Sequence, residues 1–171
     1  MRMFQRLRRM FGGATVVSLI LFPAIAQESV AELQAKFDRE NNSVKKAKLL
    51  VKLADAQFED SRRAGKEGDN NTVDATMEKY RDNVRAAFEA LKKQHPDAEK
   101  HSNGYRQVEM QVKQGIREVE DSMLAAPAAY KPPLQIVRQD LIAMDDEMIR
   151  MLFPLRPAPA KATAAPEEKQ P

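Results

Sequence analysis

The sequence predicts an all-α protein, an antiparallel helical bundle or helical-hairpin array of four to five helices. Three observations carry this expectation. Apolar residues recur at spacings of three and four, the residues that favour helix (Ala, Leu, Lys, Glu, Gln, Met) are plentiful, and no stretch alternates apolar with polar as a half-buried strand would. The chain has 171 residues and no cysteine. Without disulfides, a fold of this size must rest on packing, so it needs a substantial core.

Ahead of the helices stands RRMFGGATVVSLILFPAIAQ, residues 8–27. Arg2, Arg6, Arg8 and Arg9 precede an uncharged run from Gly12 to Ala26. That run is shorter than the roughly 20 residues a helix needs to cross a bilayer. Pro23 interrupts it, and Ala24-Ile25-Ala26 supplies the small-x-small pattern of a cleavage site. Residues 1–26 therefore read as a secretory signal peptide cut after Ala26, with Ala24 and Ala26 at the recognition positions and Gln27 as the new N-terminus. Localisation is expected to be periplasmic or secreted, with no membrane attachment after cleavage. The four residues Arg8-Arg9-Met10-Phe11 also resemble the core of a twin-arginine signal, although the general secretory route is the expected one.

Cleavage changes the charge balance. The chain carries 28 basic and 25 acidic residues; residues 1–26 hold four arginines and no carboxylate, which leaves 24 basic against 25 acidic, or net −1. The basic character of the whole chain thus belongs to the leader, and nucleic-acid binding is not expected.

Residues 27–153 form the expected helical domain. Ser29-Val30-Ala31-Glu32 has capping-box spacing and opens a first helix over 29–40, with Leu33 and Phe37 inward. Asn41-Asn42-Ser43 marks a break. A second helix over 43–64 presents Ala47, Leu50, Val51, Ala54 and Phe58, widened by Leu49 and Leu53, and is expected to end with Gly65 in a left-handed cap. The third, over 72–94, places Val73, Met77, Tyr80, Val84, Ala87 and Leu91 on one seam, the pattern of a helix packed at about 20° on antiparallel neighbours. His95-Pro96 stops it, because the residue before proline is pushed out of the α region.

After the linker DAEKHSNG, a fourth helix over 102–124 shows Tyr105, Val108, Val112, Ile116, Val119 and Met123. AAPAAYKPP reads as an extended connection. The fifth helix, over 133–152, carries Leu134, Val137, Leu141, Met144, Met148 and Leu152. Residues 154–171, PLRPAPAKATAAPEEKQP, hold too little apolar surface to offset ordering and read as a disordered Pro/Ala-rich tail.

Residues 46–97, a helix, the polar turn GKEGDNN, an Ala-rich helix and the ending HPD, resemble the paired helices of tetratricopeptide repeats and of helical domains of unknown function in exported bacterial proteins. The resemblance implies a helical-hairpin layout and no functional residue. No second copy follows at a period near 34 residues, as a solenoid of such repeats would show.

Residues that could carry chemistry are few. His95 and His101, with Asp97 and Glu99, could share a metal ion only if the linker folded them together; exposed linker residues are the expectation. Met110, Met123, Met144, Met148 and Met151 stand at helical spacing and are expected to fill the core. Asp145-Asp146-Glu147 point about 100° apart on a helix and so do not form an acid/base pair. Lys79, Arg81 and Arg85, interleaved with Glu78 and Asp82, read as solvated helix surface. No catalytic, cofactor-binding or metal-binding residue is assigned, and no cofactor is expected. The expectation is a non-catalytic protein acting by protein contact or scaffolding in the cell envelope through unknown protein partners. The alternative is a periplasmic chaperone or sensor that binds apolar ligands or unfolded chains.

Overall fold

The computed structural model describes residues 28–154. The expected signal peptide, with Ala24, Ala26 and Gln27, and the expected tail from residue 155 on lie outside the described residues. Five α-helices occur there, α1 (Val30–Arg39), α2 (Ser43–Glu67), α3 (Asn70–Gln94), α4 (Ser102–Ala125) and α5 (Lys131–Leu152), with a short 3-10 turn, Ala128–Tyr130, before α5. No strand is present among the described residues. None of these helices is long and apolar enough to cross a membrane.

The capping box of α1 forms as its spacing predicts. The Ser29 Oγ accepts from the Glu32 N–H at 3.3 Å, and the Glu32 carboxylate accepts from the Ser29 N–H at 3.0 Å. The Asn42 side chain accepts from the Lys45 N–H at 3.0 Å and starts α2.

The turn between α2 and α3 corrects the sequence expectation. The helix runs past Gly65 to Glu67, and the left-handed residue is Gly68, at φ 77°. The Asp69 N–H bonds the Ala64 carbonyl at 2.9 Å, and the Gly68 N–H bonds the Gly65 carbonyl at 3.1 Å, which is the Schellman pair. Asp69 then caps α3 through the Thr72 N–H at 3.1 Å and hydroxyl at 2.6 Å. One residue thus ends one helix and begins the next, which is why α3 starts at Asn70, two residues before the position expected.

Of AAPAAYKPP, only Ala126 and Pro127 are extended; the chain then turns through Ala128–Tyr130 into α5 rather than staying extended. Pro132 and Pro133 occupy the first turn of α5, where an N–H has no helical partner to lose and the fixed φ suits a helix.

Helices α2 and α3 form an antiparallel hairpin, as do α4 and α5, and the two hairpins stack so that α2 lies on α4 and α3 on both α4 and α5. Arg62 of α2 meets Glu118 of α4 at 3.3 Å. On the other side Arg85 of α3 meets Asp140 of α5 at 3.0 Å and Lys92 meets Glu147 at 2.8 Å. In each of these two pairs the helices run in the same direction. Arg81 and Arg85 are therefore partly committed to the α3–α5 seam instead of lying on a wholly solvated face.

The core runs through both hairpins. All six seam residues expected on α3 and all six on α5 are buried. Leu53 and Phe88 add fully buried bulk. Tyr80 sits at the centre, its ring tilted on Phe58 with centroids 4.7 Å apart and its hydroxyl donating to the Gln111 carbonyl at 2.6 Å. Burial raises the Tyr80 phenol well above its ordinary range, so it stays a neutral donor. Gly115 leaves room for that ring, since a Cβ there would land inside the space of the phenol.

Helix α1 covers α2. An amide triad ties it to the hairpin: Gln34 Nε2 donates to Asn83 Oδ1 at 3.0 Å, and Asn83 Nδ2 donates to Gln34 Oε1 at 2.9 Å and to Gln57 Oε1 at 3.4 Å.

Candidate functional site

At the end of the molecule where α2 and α4 finish and α3 begins, the three helices enclose a cleft of about 270 Å³. Two rungs of opposed charge form its walls, because α2 and α4 run in the same direction. Arg62 and, one turn on, Lys66 stand on α2; Glu118 and, three residues on, Asp121 stand on α4. Gly65, Val73, Ala125 and Ala126 make up its apolar lining. Val73 and Ala126 are buried.

The first rung is closed by the Arg62–Glu118 pair. The second is open: among the described residues Lys66 and Asp121 have no ion-pair partner. Ser61 also lines the cleft, is 2% exposed, and its hydroxyl has no hydrogen-bond partner among the described residues. A buried hydroxyl left unpaired costs on the order of 1–3 kcal/mol, so such a group marks a place where a partner would be welcome. Ser122 is satisfied, donating to the Glu118 carbonyl at 2.8 Å.

His95 and His101 are brought together by the turn after α3. Their ring centroids lie 4.5 Å apart with planes at 34°. The Tyr105 hydroxyl donates to the His95 carbonyl at 2.7 Å and pins the helix end. Asp97 does not join them: its carboxylate accepts from the Lys100 N–H at 3.2 Å and pairs with the Lys100 ammonium at 2.8 Å, and these bonds hold it below the usual carboxylate range. No group of three His, Cys, Asp or Glu with metal-holding geometry occurs among the described residues. The arrangement is two stacked imidazoles at a helix junction.

Of the methionines expected in the core, Met144 and Met148 are buried, and Met123 and Met151 are half-buried against it. Met110 is 66% exposed and is not a core residue, because it stands on the face of α4 opposite Val108 and Val112. The three carboxylates of Asp145-Asp146-Glu147 diverge: Glu147 takes Lys92, Asp146 is exposed, and Asp145 is half-buried. Burial raises the Asp145 carboxyl, Lys113 opposes that shift, and Glu109 and Asp146 add to it.

Nothing in their spacing along the sequence marks Ser61, Lys66 and Asp121 as a site. Each looks like an ordinary helix residue until the side-by-side packing of α2 and α4 joins them. No protein-family model, curated protein or solved structure matches this chain.

Proposed function

We propose that the protein is exported to the cell envelope and acts there without catalysis, by holding a protein partner on its second hairpin. One observation supports this reading. The exposed large apolar residues among those described, Met110, Leu124, Ile136, Ile149 and Phe153, all belong to α4, α5 or the residue just after α5. Helices α1, α2 and α3 contribute none to that set. Scattered exposed apolar residues are ordinary, but confinement to one of two similar hairpins is a bias that an interaction face would produce.

The test is site-specific photocrosslinking in the native host, with the reactive group placed in turn at Met110, Ile136 and Phe153 on the second hairpin and at Lys52 and Arg63 on the first. A discrete adduct from the second set and none from the first is expected, in the exported fraction. Equal labelling from both sets, or retention of the protein in the cytoplasm, would overturn the proposal. The same side chains also suit a chaperone for unfolded chains. That second reading requires the purified protein to slow aggregation of a model client, and Met110→Lys together with Phe153→Glu to abolish the effect.

A further inference from the structure

We infer that the cleft between the ends of α2 and α4 binds a small zwitterion with an apolar body, of which a free amino acid with an aliphatic side chain is the type. The charge layout carries the inference. Basic groups line the α2 wall and acidic groups the α4 wall. The second rung, Lys66 facing the Asp121 side, is without partners. A ligand with a carboxylate and an ammonium on neighbouring atoms is complementary to both walls at once; a simple anion or cation meets one wall and is repelled by the other.

Two further features point the same way. The last turn of α4 carries no basic residue, so the negative end of that helix adds to Asp121 in favouring an ammonium. The lining also holds Val73, Gly65, Ala125 and Ala126, small or apolar groups, of which Val73 and Ala126 are buried, and these suit an aliphatic side chain. The unpartnered Ser61 hydroxyl supplies a neutral hydrogen-bonding group in the same cleft. A volume of about 270 Å³ suits a molecule of this size and is small for a folded partner's loop.

The experiment is a titration of the full-length chain, followed by backbone amide chemical shifts, with leucine, leucinamide (no carboxylate) and N-acetyl-leucine (no ammonium). Saturable shifts confined to residues 61–73 and 118–126 are expected with leucine. Removal of either ligand charge weakens binding about tenfold, the loss of one charge-assisted hydrogen bond. Lys66→Gln weakens leucine by a similar factor without weakening leucinamide, and Asp121→Asn weakens leucine without weakening N-acetyl-leucine, the coupling that assigns each charge to its wall. Both positions are exposed, and circular dichroism confirms that the variants keep their helices. Absence of saturable shifts up to about 10 mM leucine, a concentration that reveals even millimolar affinity, would overturn the inference. So would binding of either blocked ligand as tight as that of leucine, or variants that weaken all three ligands alike.

Discussion

The two hairpins are built from helices of similar length, yet they are finished differently. The first is closed by a two-residue turn in which Gly68 ends α2 and Asp69 starts α3, and α1 lies over it. Neither helix of the second has a side-chain cap at its start, and this hairpin carries the exposed apolar residues. In stacked hairpins the terminal unit must present a polar outer face to stay soluble alone. The first hairpin meets that demand through α1, whereas the second keeps five large apolar residues exposed on or just after its helices, the face the proposed partner contact would use.

Tyr80 ties the first hairpin to the second through the Gln111 carbonyl and its close fit at Gly115, and the largest effect is expected there. Gly115→Leu forces the Tyr80 ring out of its place and breaks its bond to the Gln111 carbonyl, so urea unfolding is expected to show a loss of on the order of 3 kcal/mol or more. A loss below about 1 kcal/mol would mean that the hairpins are not locked at this point.

The cover over the first hairpin is tested next. Asn83→Ala removes both bonds that tie Gln34 to α3, leaving its amide only Asp38 of its own helix, and takes the Asn83 donor from Gln57 Oε1; it is expected to cost about 2 kcal/mol, with faster amide exchange through α1. An α1 that keeps its protection would show that the triad is not what holds it.

A smaller loss, about 1 kcal/mol, is expected for Asp69→Ala, which removes the cap of α3. Its acid behaviour follows from the Thr72 hydrogen bonds, which lower the folded-state carboxyl below its ordinary value. The cap's contribution is present above the unfolded value near 4 and is lost as pH falls through the lower folded one. Wild type and Asp69→Ala should therefore converge in melting temperature on acidification below about pH 4.

The smallest effects carry the opposite sign. Asp74 on the first hairpin and Asp145 on the second each bury one carboxylate oxygen with no partner. Burial, reinforced by Glu78 for Asp74, raises both carboxyls above their ordinary value. A raised folded-state value penalises the charged form at neutral pH and is relieved as pH falls through it. Asp74→Asn and Asp145→Asn are each expected to stabilise the fold at pH 7 by less than about 1 kcal/mol, seen as a higher melting temperature, and to lose that advantage below about pH 4. A destabilised Asp145→Asn would instead indicate that the charge attracts Lys113 more than burial opposes it.

Much of the fold is legible in the sequence because each helix faces its neighbours with a stripe that one dimension already displays. The α3 seam from Val73 to Leu91 and the α5 seam from Leu134 to Leu152 are examples, and both are buried throughout. Boundaries are less legible, since Gly65 and Gly68 offer the same backbone freedom. The choice falls on Gly68 because Asp69, the next residue, is also a good cap for α3. Prolines mislead for a related reason: Pro132-Pro133 suits an extended chain, and it suits equally a helix start that needs no N–H. The cleft is not legible at all. Whether Lys66 and Asp121 line one cleft depends on α2 and α4 running side by side in the same direction, and periodicity within a helix does not encode its neighbour's direction.

The placement of Tyr80 has an optical consequence. The chain contains no tryptophan and three tyrosines. In most proteins tryptophan drains tyrosine emission by energy transfer and obscures it; here it remains visible. Tyr80 and Tyr105 both donate their hydroxyls to backbone carbonyls near or across the α3–α4 seam, an environment that shortens the lifetime of the excited phenol. Separation of the hairpins releases both phenols to water, so intrinsic fluorescence excited near the tyrosine band reports that separation without an added label.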